Sequence, residues 1–149
     1  TAKPVLGTNP TEKLLTNGIR GSLKYSDFEW CSWADNDSVS FTIDLLKLEI
    51  LNTLILGCIT NNGMAIHKPA SVRVEVSDDN SKFREAVVQS FTSEEIFREG
   101  NFIENLSLKL GGTQARYVRV TAKGPGVCPA SHVRPGQTSR IFFDEVMLE

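Results

Sequence analysis

The sequence lacks most of what catalysis or metal binding leaves behind. Its two histidines, His67 and His132, have no plausible nucleophile beside them in the chain, which argues against a hydrolytic triad. No G-x-S-x-G elbow, H-E-x-x-H pair, phosphate-binding glycine loop or C-x-x-C occurs, so covalent, zinc-dependent and nucleotide-dependent chemistry is without its usual motifs. Cys31, Cys58 and Cys128 are too widely spaced for a zinc pattern. They allow either one disulfide with a spare thiol or three reduced thiols in or near a core. A net charge of −2 offers nothing to attract nucleic acid or an anionic membrane. The longest apolar run, around Leu54-Ile55-Leu56, is too short to span a bilayer. Two carboxylate pairs, Asp35/Asp37 and Asp78/Asp79, have the residue types of a glycosidase. The second falls in a Ser77-Asp78-Asp79-Asn80 turn, and nothing around the first raises a pKa, so the domain is expected to be non-catalytic.

What is present is a β pattern. At 149 residues, with 40% hydrophobic and 23% charged residues, the chain suits one soluble domain with a real core. The opening Thr1-Ala2-Lys3-Pro4 reads like a cut inside a longer chain, so residues 1–149 are expected to be a single domain of a larger protein. Val39–Leu45, Val72–Val76, Leu106–Leu110 and Val118–Ala122 alternate apolar and polar side chains, the two-residue period of a half-buried strand. Thr53–Thr60 and Ile141–Leu148 are more continuously apolar, as strands covered on both faces are, and Glu85–Phe91 is a seventh candidate. Gly111-Gly112 and Gly124-Pro125-Gly126 read as turns. Thr92 and Glu95 stand at capping-box spacing for a helix of one or two turns at most. Short, regularly punctuated strands predict an antiparallel β-sandwich.

Four long polar segments carry no periodicity: residues 14–38, 60–70, 92–102 and 123–140. They hold Trp30, Trp33, Met64, Phe97 and Phe102, so they are not disordered by composition. Long ordered loops on a rigid sandwich are a usual platform for binding.

In order and spacing, "LTNGIRGS…YSD.EW", "VSFTIDL", "KPASVRVEVSDDNSKF", "ARYVRVTAKG" and "FFDEVML" resemble the discoidin-like, or coagulation factor 5/8 type C, domain family, which includes carbohydrate-binding modules of family 32. The likeness runs from about Leu14 to Leu148 and is nearest to the copies at the C-terminal end of bacterial β-hexosaminidases and chitobiases. It implies a jelly-roll, galactose-binding-domain-like sandwich. It also implies a secreted, periplasmic or cell-surface bacterial setting, a glycoside hydrolase as catalytic domain of the same chain, and a sugar partner of galactose or N-acetylhexosamine type. The alternatives are a spacer that packs on its parent hydrolase, and a protein or cell-surface adhesion module.

The resemblance also assigns residues. The glycine-studded opening loop commonly wraps a structural calcium, here with Asn17, Arg20 and Ser22 in the arc and Glu145 closing the shell from the last strand. Asn17 departs from the usual Asp, which removes a charge. Sugar contacts are expected from loops at one end: Trp33, Asp35 and Asn36; His67 and Lys68; and His132, Arg134 and Arg140. Trp30 is expected in the core. Arg140 and Met64-Ala65 stand where aromatics are common in such modules, so two stacking partners are missing.

Overall fold

A computed structural model describes residues 15–33 and 38–149. Six strands occur in it: β1 (Cys31–Trp33), β2 (Ser38–Asn61), β3 (Ser71–Ser77), β4 (Arg84–Ser90), β5 (Asn101–Lys123) and β6 (Ile141–Leu148). They pair antiparallel in the order β1-β6-β2-β5-β3-β4. No helix among the described residues is long and apolar enough to cross a membrane.

Two strands are much longer than the alternation suggests. Val39–Leu45 and Thr53–Thr60 belong to one continuous β2, and Leu106–Leu110 and Val118–Ala122 to one β5. Gly111-Gly112 is therefore a bend inside a strand rather than a turn between two. Both glycines have positive φ, 66° and 77°, which bends the backbone at no cost to a side chain. On β2 the ladder slips opposite them between Leu51 and Thr53, and again between Asp44 and Glu49, where Leu46 has positive φ. Such slips are bulges, which bend and twist a strand.

The bend folds one ribbon into two leaves. The N-terminal part of β2 and the C-terminal part of β5 carry β3 and β4; the remaining parts carry β6 and β1. Val39, Val72, Val74, Val118 and Val120 of the first leaf share one core with Leu54, Leu56, Leu106, Leu108 and Phe143 of the second. The leaves thus face each other as an antiparallel β-sandwich, with the two-residue period pointing alternate side chains inward. Cys31, Cys58 and Cys128 are all buried and none forms a disulfide. Burial pushes the Cys58 thiol well above its ordinary range.

Folding the ribbon brings the loops to one pole. Ser38 and Ser71 both lie against Lys123, Asn61 lies against Asn101, and Ile66–Ala70 spans the gap between leaves. At this pole the capping box forms as expected: Thr92 accepts from Glu95 N–H at 3.2 Å while Glu95 accepts from Thr92 N–H at 2.7 Å. The resulting turn, α1 (Ser93–Ile96), presents Phe97 to the loop cluster.

Candidate functional site at the loop end

The opening loop does meet the last strand. Gly18 N–H donates to Glu145 Oε2 at 3.0 Å, Gly21 N–H to Asp144 Oδ2 at 2.9 Å, and Arg20 Nε to the same Asp144 oxygen at 2.8 Å. Arg20 Nη2 also reaches Asn105 Oδ1 at 2.8 Å. Close approach fixes Gly21, because a Cβ there would stand 2.3 Å from the Trp30 ring. Trp30 is core, as expected, and its indole N–H donates to the Ser22 carbonyl at 2.9 Å.

This clasp does not fit the calcium shell that the resemblance implies. Asn17 Oδ1 accepts from Ile19 N–H, the Ser22 carbonyl serves Trp30, Glu145 Oε2 serves Gly18, and Arg20 contributes a guanidinium. Among the described residues no three carboxylates converge. The loop turns N–H donors and a cationic side chain toward the carboxylates where calcium needs six to eight oxygens. Burial raises the Glu145 carboxyl from its ordinary value, against the Gly18 hydrogen bond, and Asp144 adds repulsion.

At the pole, segments 61–67, 97–100 and 132–140 interlock. Asn62 Oδ1 accepts from Gly100 N–H at 2.7 Å. Arg140 N–H donates to the Ala65 carbonyl at 2.9 Å and its own carbonyl accepts from His67 N–H at 3.1 Å. Arg134 Nε donates to the Gly63 carbonyl. His67 Nε2 and His132 Nε2 are 2.9 Å apart, with the Phe97 ring edge-on to both.

Several expected contact residues are therefore parts of the scaffold. Trp33 is only 4% exposed and packs edge-on to Phe143 in the core; with β1 covered on both sides, it offers no platform to a ligand. His67 has no exposed surface and His132 little. Lys68 is buried, 3.0 Å from Glu104 and 4.9 Å from the centre of the Phe91 ring, so its charge is already met. Arg140 is half-buried over Phe142. Asp35 and Asn36 lie outside the described residues. Among the described members of the expected set, Arg134 is the one that projects from the rim.

Other rim groups went unread in the sequence. Asn62 ties two loops, Gln137 lies 3.4 Å from the Arg134 guanidinium, and Arg98 stacks 4.5 Å from the centre of the half-buried Phe102 ring. A signal for them existed: the Thr92/Glu95 capping box fixes where Phe97 and Arg98 emerge. Nearby, on the outer face of the first leaf, Ser38, Ser71, Arg73, Val88, Thr121 and Lys123 line an open groove of about 350 Å³.

A two-leaved sandwich whose loops gather at one pole defines a discoidin-like module, and the chain belongs to the F5/8 type C domain family, whose family model matches residues 5–134. Domains of this family are non-catalytic. Among solved structures, the C-terminal domain of a chitobiase from Bacteroides fragilis matches with TM-score 0.61 and 19% identity, covering 100% of this chain and 88% of that one. CpGH89CBM32-5 from Clostridium perfringens, solved in complex with GalNAc-β-1,3-galactose, matches with TM-score 0.61 and 16% identity over 99% and 90% of the two chains. The CBM32 of AlyQ, in complex with 4,5-unsaturated mannuronic acid, gives TM-score 0.56 and 18% identity over 92% and 84%. No curated protein matches the chain.

Proposed function

We propose that this domain is a carbohydrate-binding module of a secreted or surface-attached bacterial glycoside hydrolase, and that it binds galactose- or N-acetylhexosamine-type sugars weakly at its loop end. The observation that carries this reading is the rim itself: Arg134 with Gln137 on one loop, and exposed Arg98 over the half-buried Phe102 ring at the start of β5. A guanidinium and an amide suit sugar hydroxyls, and a ring face suits the apolar C–H patch of a pyranose. Weak contacts suffice, because a tethered module raises the local concentration of substrate around its catalytic partner.

Glycan-array screening and calorimetry against galactose, N-acetylgalactosamine and N-acetylglucosamine oligomers test it. Binding should be lost in Arg134→Ala and Phe102→Ala while both variants keep a near-wild-type melting temperature. No binding by the wild type, or binding indifferent to both substitutions, sinks the reading.

One observation favours the spacer alternative. At the pole opposite the loops, Leu46, Leu48 and Ile50 project from every second position of β2, with exposures of 79%, 51% and 64%. An apolar stripe of this kind suits packing against a neighbouring domain of the same protein. Protection of residues 44–50 from hydrogen exchange in the longer protein, and not in the isolated domain, would support it.

A further inference from the structure

The buried histidine pair has a chemistry that the sugar reading does not use. One ring nitrogen from each of His67 and His132, and Cys128 Sγ, lie within 4.8 Å of one another, residue types that hold zinc or copper elsewhere. The hydrogen bonding points away from a metal. His132 Nδ1 accepts from Arg134 N–H at 2.9 Å, so in the neutral ring the proton sits on Nε2. A histidine that ligates through Nε2 carries its proton on Nδ1 and donates it outward; here that direction already holds a donor. Cys128 is engaged with Ser139 Oγ at 3.3 Å.

The shorter contacts order the protons as a relay, in which the Asn62 Nδ2 group, 3.3 Å from His132 Nε2, is a donor facing a donor and adds no bond. Arg134 N–H donates to His132 Nδ1, His132 Nε2–H donates to His67 Nε2, and His67 Nδ1–H faces the backbone of Ile96 without a full hydrogen bond. The relay needs both rings neutral. A proton added to His67 sets two N–H groups against each other across 2.9 Å, and one added to His132 sets Nδ1–H against Arg134 N–H. Either event breaks the chain of bonds.

We propose that the His67–His132 bond is an acid-labile latch that positions Arg134 and the Asn62 and Phe97 loops, so that the rim is assembled at neutral pH and comes apart in acid, releasing bound glycan. The link to glycan rests on the sugar-binding reading above; the latch does not. Backbone bonds between Asn61 and Ile66, Asn62 and Gly100, and Arg140 with Ala65 and His67 hold the base of these segments, so losing the latch loosens the rim around Arg134 and leaves the sheets alone.

Among the described residues, no unpaired charged group faces the pair. Charged groups nearby are spoken for: Lys68 pairs with Glu104, Glu95 caps α1, the Arg134 guanidinium bonds Gly63 and Gln137, and Arg140 lies over Phe142. Burial first, then the facing His132, hold His67 down at about 4 against an ordinary 6.5. With the folded value below the unfolded one, the latch contributes fully above pH 6.5 and is lost progressively as pH falls toward 4.

The test follows the amides of Arg134, Gly100 and the Asn62 side chain by NMR from about pH 7.5 to about 3.5, bracketing the His67 value of about 4, with strands β3 and β5 as internal reference. These loop signals should move or broaden together as the pH falls, in step with the two imidazole C–H signals, while the strand amides stay put. In a His67→Gln/His132→Asn double variant, which keeps an acceptor for each N–H and titrates nowhere, the acid response should vanish. If that variant does not fold, the wild-type titration still decides. Imidazoles that titrate without moving the Arg134 amide overturn the latch, as does stoichiometric zinc on the purified protein. In parallel, glycan affinity in the wild type should fall by at least about tenfold over the same range, within the penalty that a fall from 6.5 to about 4 allows. Binding that ignores pH while the loops open overturns the coupling to glycan. Loop opening with no glycan bound at any pH leaves the latch standing and removes the sugar reading.

Discussion

Trp33 shows how one side chain divides scaffold from site. Its ring centre lies 5.6 Å from that of Phe143, inside the core. Trp33→Ala should therefore cost about 3–5 kcal/mol in urea unfolding, the usual toll for emptying a large buried aromatic. A ligand platform would behave in the opposite way, losing affinity at unchanged stability. The sequence left this residue open because Cys31, Ser32 and Trp33 are all buried, so β1 has no alternation to reveal a face. Trp30 was legible through its motif. His67 and His132 were not, since nothing local announces that rings 65 positions apart will touch. Lys68 misled for a simpler reason: only a fold could supply Glu104 and the Phe91 ring beside it.

Among the elements, the opening loop and β6 make the sharpest comparison between expectation and structure. Their meeting was predicted, yet its chemistry is a guanidinium and two backbone N–H groups on carboxylates. A chelator should accordingly leave the melting temperature unchanged, and a fall of several degrees on chelation would restore calcium to the clasp. Arg20→Ala should lower stability by about 2 kcal/mol, read as a melting temperature a few degrees lower, because it strands the fully buried Asp144. The estimate sits at the low end since the Arg20 side chain keeps 35% of its surface in water. Gly57→Ala attacks the same clasp from beneath: its Cβ would fall 1.9 Å from Asp144 Oδ1 and 2.5 Å from Arg20 Nη2. It should destabilise at least as much as Arg20→Ala, measured by thermal melting. The strand segments themselves were readable from their period. Their continuity was not, because Gly111-Gly112 spells a turn locally and only the pairing with a bulged β2 makes it a bend.

For the whole molecule, alternation identified the sandwich because each leaf has one dry face, and that is a property of the sequence alone. Where the loops would gather depended on how the ribbon folds, which the sequence does not spell. Stability of the intact domain should decline on acidification from pH 6.5 toward 4 as His67 resists its proton. Glu145 works the other way: its folded value is raised, so its contribution grows as the pH falls through that value and is complete by the ordinary 4.5, which should make the decline shallower just above 4.5. Chemical denaturation at a series of pH values reads both slopes. The bent ribbon has a last consequence. Cleaving the backbone between Gly111 and Gly112 would not yield two lobes, since the shorter fragment would hold one strand of each leaf and the longer would hold all their partners. Two such pieces, made separately and mixed, should find each other and rebuild the domain.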